Sequence, residues 1–160
     1  MSRPLRITVV GGSRCDDATA TLAEQIGREV ARRGGVLVCG GLGGVMEAAS
    51  KGASAAGGLV VGILPGVDAR EANPHVAVPI PTGMGEARNV VNVRAGDAVI
   101  ALRGSHGTLS EIAFALGFGI PVMAVRSWRH LDGVEQAETA EEAVERALER
   151  ADAGGGSSGT

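Results

Sequence analysis

Aromatic side chains are almost missing from this chain: Phe114, Phe118 and Trp128 are the only three in 160 residues, and tyrosine is absent. No block of Lys or Arg occurs and no basic residues interleave with aromatics, which argues against a groove for nucleic acid. The net charge is −3, from 15 basic and 18 acidic residues. Cysteine is scarce too. Cys15 and Cys39 lack the spacing of a metal-ligand pair, so two reduced thiols near strand ends are expected. His75, His106 and His130 are scattered, with no HxxxH and no Cys neighbour, and no metal site is expected. The longest apolar runs, such as Leu59–Leu64 and Ala98–Leu102, are far too short to span a bilayer. Met1–Arg6 is polar and has no signal-peptide apolar stretch, so the expected compartment is the cytoplasm.

Glycine is what the chain has in excess. Its 26 glycines are over twice the usual share of ~7 %. Hydrophobic residues still make up 44 %, so the core has to be built from Val, Ile, Leu and Ala. That aliphatic content excludes disorder for most of the length, and the lack of a Gly-X-Y period excludes collagen. The length fits one domain over residues 1–150, followed by a Gly/Ser-rich tail over 151–160 that is expected to be disordered.

Short β-branched runs alternate with helical periods. Ile7–Val10 reads as a strand and Ala18–Arg33 as an amphipathic helix, with Leu22, Ile26 and Val30 four residues apart. Gly34–Gly35 ends it. Val36–Cys39 is a second strand, the next helix runs from Val45 to about Ala56, and Leu59–Ile63 is a third strand. Leu64–His75 has loop chemistry, and Val76–Ile80, with Pro79 inside and Pro81 after it, reads as a strand near a sheet edge. Arg88–Ala95 is a helix, Ala98–Leu102 a buried strand, Thr108–Gly117 a helix and Pro121–Val125 a strand. Thr139 and Glu142 form a capping box that opens a final helix to about Arg150. The expected fold is therefore α/β: a Rossmann-like, doubly wound, mainly parallel sheet with helices on both faces. Ligands of such sheets sit at the carboxyl ends of the strands.

Three strand-to-helix junctions on that rim are glycine-laden: Gly11-Gly12-Ser13, Gly40-Gly41-Leu42-Gly43-Gly44 and Gly104-Ser105-His106-Gly107-Thr108. Without Cβ atoms, backbone amides can approach an anion, and the following helix adds the positive end of its dipole. None of the loops is GxGxxG or a Walker A, so ordinary dinucleotide and ATP sites are not indicated. Tight turns alone are the competing explanation. The candidate phosphate-binding residues are Gly11, Gly12, Ser13, Gly40, Gly41, Gly43, Gly44, Gly104, Ser105, His106, Gly107 and Thr108. Thr108 is the expected N-cap of its helix, and Thr108–Glu111 also satisfies a capping box. Arg88 and Asn92, four apart, share one helix face, either as ligand contacts together with Met84 in the preceding turn or as solvated surface residues.

Gly40-Gly-Leu-Gly-Gly-Val-Met-Glu-Ala48, Gly62-Ile-Leu-Pro-Gly66 and Gly107-Thr-Leu-Ser-Glu111 together resemble the LONELY GUY (LOG)-like proteins of the SLOG superfamily. The likeness is to the branch with molybdenum cofactor carrier proteins and relatives of the DNA-processing protein DprA, and it runs from about Ile7 to Val125. Proteins of this kind are often mislabelled lysine decarboxylases. That label has no support here, because the one lysine, Lys51, lies in a helical stretch. LONELY GUY enzymes hydrolyse the N-glycosidic bond of cytokinin nucleoside 5′-monophosphates. The resemblance implies that Arg88 matches the family's catalytic Arg and Glu111 its catalytic Glu, which closes a Pro-Gly-Gly-x-Gly-Thr-x-x-Glu motif. Asn89 stands where Lys is usual, Arg103 where Pro is, and Ser105 where the second Gly is.

Two readings follow. In one, the chain is a nucleoside 5′-monophosphate phosphoribohydrolase that needs no cofactor. Glu111 then stabilises the positive charge developing on the sugar and orients water, while Arg88 holds the phosphate or polarises the base. In the other, it is a non-catalytic carrier or sensor of a phosphorylated ligand such as molybdopterin, contacted by Arg103 or His106. The helix after Gly107 is apolar nearly all round, and relatives of this type assemble as dimers or larger even-numbered oligomers, so a homo-oligomer is expected. Trp128 is either a rim contact or a packing anchor.

Overall fold

The structure, a computed structural model, describes residues 2–155. Seven strands, all paired in parallel, form one sheet in the order β4-β3-β2-β1-β5-β6-β7. The strands are β1 (Arg6–Val10), β2 (Val36–Cys39), β3 (Val60–Leu64), β4 (Val78–Pro81), β5 (Ala98–Ala101), β6 (Val122–Val125) and β7 (Glu135–Ala137). The helices are α1 (Asp17–Arg32), α2 (Val45–Ala55), α3 (Arg88–Ala95), α4 (His106–Gly117) and α5 (Ala140–Gly155). The α/β doubly wound reading holds.

Alternation along the central strands explains the two layers. Ile7 and Val9 of β1, Ala98 and Ile100 of β5, and Met123 and Val125 of β6 join one buried cluster, with Leu22, Ile26 and Val30 of α1, Ala49 of α2 and Val144 of α5. Val10, Val99, Ala101, Val122 and Ala124 point the other way and pack with Val93 of α3 and Ile112 of α4. Strands buried on both faces leave no polar face to expose. β4 lies at the edge, where the missing N–H of Pro79 and Pro81 is tolerated, and Val78 and Ile80 are exposed there.

Several expectations need correction. β7 has the sequence Glu-Gln-Ala and no β-branched residue, so periodicity missed it. It is fixed from outside the strand, by Arg150 on Glu135 at 2.6 Å and Arg146 on the Gln136 carbonyl at 2.6 Å. α5 runs on to Gly155, so residues 151–155 are helical rather than disordered, and 156–160 lie outside the described residues. Thr139 caps the Glu142 amide at 3.2 Å as expected, but the Glu142 carboxylate accepts from the Glu138 amide, one residue further back than a capping box requires. α4 begins at His106 with Ser105 as its N-cap, so Thr108 is not the cap. Trp128 packs against the second cluster and donates from Nε1 to the Leu102 carbonyl at 2.8 Å, which makes it a packing anchor. Around α4, Ile112 and Ala115 are buried, whereas Leu109 and Phe114 remain exposed.

Two mid-helix glycines have a role that neither loops nor caps suggested. A Cβ at Gly27 of α1 would overlap the Ala49 carbonyl oxygen, and one at Gly52 of α2 would overlap that of Glu24. The helices therefore touch backbone to backbone. Gly27→Ala should gain about 1 kcal/mol of helix propensity but lose about 1–3 kcal/mol to overpacking. Its urea midpoint should fall, and an equal or higher midpoint would contradict the close approach.

Candidate functional site

In the strand order, β1 lies between β2 and β5, and the chain leaves β1 and β5 toward opposite faces of the sheet. A crevice opens at such a switch point, outside the strand ends. The loops around it are laced to one another. The Gly12 amide donates to the Arg103 carbonyl at 2.9 Å, and the Val45 amide donates to the Gly12 carbonyl at 3.0 Å. Asn73, from the loop before β4, holds the second loop: its amide donates to Gly41 O at 2.8 Å and its Nδ2 to Leu42 O at 3.0 Å. The indole of Trp128 secures the chain at Leu102, two residues before the third loop.

The resulting cleft has a volume of about 350 Å³. It brings together Gly11, Gly12, Ser13, Gly40, Arg88, Asn92, Ser105, Gly107, Thr108 and Glu111, all of them sequence candidates. Gly41, Gly43, Gly44, Met84, Gly104 and His106 do not line it. Gly41 and Gly44 carry the backbone through positive φ, +79° and +61°, to turn the second loop. Gly104 lines a neighbouring recess with Arg103 and Asp16, and Met84 and His106 are exposed. Sequence reasoning missed Leu42, Met46, Pro65, Val9, Val10 and Glu86 as lining residues. The quoted motifs contain the first three, so chain neighbourhood was the available signal.

Three helices begin at this rim without a side-chain cap: α2 after Gly44, α3 after Ala87 and α4 after Ser105. α1, by contrast, is capped by Asp16, which accepts from the Thr19 amide at 2.8 Å. First-turn amides of a helix have no partner inside it. Those of α4 open beside Ser105, Gly107 and Thr108, where an anion can take them up.

Arg88 opens α3 and is 9 % exposed. Its Nε donates to the Ile63 carbonyl at 2.9 Å, Nη2 to Gly40 O at 3.5 Å and Nη1 to Asn89 Oδ1. Burial pulls its pKa down, opposed by the negative charge of Glu111. A guanidinium carries five N–H groups, so donors remain for a ligand. Gly40 makes the room: a Cβ there would lie 2.7 Å from both Arg88 Nη2 and Met46 Sδ.

Glu111, one turn into α4, is 7 % exposed and accepts from Asn92 Nδ2 at 3.0 Å. Its carboxylate does not reach back to the Thr108 amide as the capping-box reading required. Burial pushes its pKa up to about 7, against the opposing effects of the Asn92 hydrogen bond and the Arg88 charge. Between its ordinary value near 4.5 and about 7 the folded chain holds the extra proton, so stability falls as pH rises through that window. Glu111→Gln should remove this dependence. From roughly pH 5 to pH 8 the variant should gain on the wild type by up to about 3 kcal/mol in denaturant unfolding. Parallel pH profiles would contradict a buried, titrating Glu111.

The chain is similar to several known proteins. A protein of Archaeoglobus fulgidus, called uncharacterized, is 45 % identical over 88 % of this chain and 92 % of its own length. A cytokinin riboside 5′-monophosphate phosphoribohydrolase of Mycobacterium tuberculosis is 36 % identical over 71 % of this chain and 65 % of its own. Among solved structures, the molybdenum cofactor binding protein of Rippkaea orientalis superposes with a TM-score of 0.88 at 36 % identity, covering 93 % of this chain and 98 % of that one. The Moco carrier protein of Chlamydomonas reinhardtii gives 0.86 at 31 % identity, covering 94 % and 99 %. The model of the SLOG cluster4 family matches residues 4–153, and the chain belongs to that family.

Proposed function

We propose that the chain binds a phosphorylated small ligand in the cleft at the switch point, and that the ligand is a molybdopterin-type cofactor carried as cargo. One observation carries the binding reading: uncapped first-turn amides and a buried guanidinium with spare donors converge on one cleft. Neutral amides and a single Arg hold an anion without a surface of Lys. The nature of the cargo is supported by the two molybdenum cofactor proteins, which match over nearly their whole length.

A second reading rests on Glu111. A buried carboxyl that titrates near 7, facing the Arg88 charge, suits N-glycosidic cleavage of a nucleoside 5′-monophosphate. As a carboxylate it stabilises positive charge developing on the sugar and orients the attacking water. The phosphoribohydrolase relative supports this reading.

Two experiments test the pair. Arg88→Ala should weaken AMP or pterin-phosphate binding by roughly tenfold or more, as expected for the loss of a charge-assisted hydrogen bond. Calorimetry would read it, and unchanged affinity would reject the phosphate site. Incubation with AMP and isopentenyladenosine monophosphate should release no free base if the ligand is carried, and the purified protein should bring pterin fluorescence with it. Base release by the wild type that is lost in Glu111→Gln would instead establish the hydrolase.

A further inference from the structure

α3 offers the cleft two different surfaces. Arg88, at its first turn, presents donors, while Asn92 lies one turn further along. Four residues at a rise of ~1.5 Å separate them by about 6 Å along the helix axis. Asn92 is 1 % exposed. Its Nδ2 is engaged by Glu111 Oε1, yet its Oδ1 has no hydrogen-bond partner. A buried acceptor left unpaired is costly, because its water is lost and not replaced. With Glu111 ionised, rotating the amide by half a turn does not help, because that sets Oδ1 against the carboxylate and strands the NH2 group instead. The one other unpartnered buried side-chain oxygen among the described residues, Gln136 Oε1, belongs to β7 at the far edge of the sheet. With Glu111 ionised, Asn92 Oδ1 and the Glu111 carboxylate thus make the floor rich in acceptors.

From this arrangement we infer that Asn92 is a specificity-determining residue: the cleft floor takes a hydrogen-bond donor carried on the body of the ligand, away from its anion. The inference rests on the reading of the rim as the phosphate site, and it divides the cleft into an anion end at Arg88 and a donor-reading end at Asn92. A bare phosphate fills only the first end. A ligand bearing hydroxyl or amino groups fills both, and it completes the Asn92 hydrogen bonds that the protein alone leaves open. The donor comes from sugar hydroxyls or from the amino edge of a pterin-like ring.

The full-length chain would be titrated calorimetrically with inorganic phosphate, AMP, 2′,3′-dideoxy-AMP and dihydroneopterin monophosphate. Asn92→Leu should weaken AMP or dihydroneopterin monophosphate by roughly tenfold, the worth of one buried hydrogen bond, and leave inorganic phosphate unchanged. Weakening of AMP but not of dideoxy-AMP assigns the donor to the sugar hydroxyls, equal weakening of both assigns it to the amino edge of the ring, and weakening confined to the pterin ligand assigns it to that ligand's ring or side-chain hydroxyls. Equal weakening of all four ligands marks Asn92 as structural and overturns the inference, as does no change in any. Asn92→Ala, read in the same way, serves if the Leu variant does not fold. If the wild type binds inorganic phosphate but neither donor-bearing ligand, the donor-reading end is overturned while the phosphate site stands. Failure to bind any of the four overturns the phosphate reading itself.

Discussion

A guanidinium buried at the carboxyl ends of β2 and β3 has to replace its lost water with oxygen atoms of the fold. Arg88 finds them at the Ile63 carbonyl, at Gly40 and in Asn89. Much of the rim follows from that requirement. β3 must end so that its Ile63 carbonyl faces α3, and position 40 must lack a Cβ, because one would collide with the guanidinium. Asn73 then holds the loop after Gly40 by two of its carbonyls. The positive charge so fixed is only partly neutralised by the fold, since no direct Arg88–Glu111 hydrogen bond forms among the described residues. Glu111 instead feels it at a distance, and burial dominates its titration.

The two ends of the cleft differ in kind for a simple reason. α3 runs down from the rim, so successive turns of one face reach successive depths. Arg88 shares the cleft with the start of α4 at the top, while Asn92 meets Glu111 further along the helix. The main chain beneath is also tied, with the Thr8 hydroxyl donating to the Asn92 carbonyl at 2.9 Å. A side chain anchored through both its backbone and its amide nitrogen cannot easily turn its free oxygen elsewhere. That rigidity makes an unfilled acceptor at this point a property of the site rather than of a mobile surface.

Glycine serves three physical purposes in this chain, and only some were legible. The loop clusters and the helix stops were readable, because they sit between a strand pattern and a helix pattern. Gly27 and Gly52 were not, since a glycine inside a helical period signals nothing about the neighbour it meets. Their contact partners, Ala49 and Glu24, belong to another helix. The same limit hid β7, whose Glu-Gln-Ala sequence becomes a strand only because β6 offers an edge and Arg146 and Arg150 of α5 fasten it. It also misled the reading of Thr108. A Thr three residues before a Glu fits a capping box, but Asn92 competes for that carboxylate from a different helix.

What the sequence determined by itself was periodicity and punctuation: alternating aliphatic strands and amphipathic helices, hence a doubly wound parallel sheet, with glycine loops on one rim and Arg88 and Asn92 on one helix face. These are local properties, written in spacing. The tertiary structure decided which candidates share a cleft, which glycines clear space for a neighbour, and how Glu111 titrates. Each of those depends on burial and on partners remote in the chain, since desolvation and hydrogen bonding act through distance in space and leave no period in the sequence.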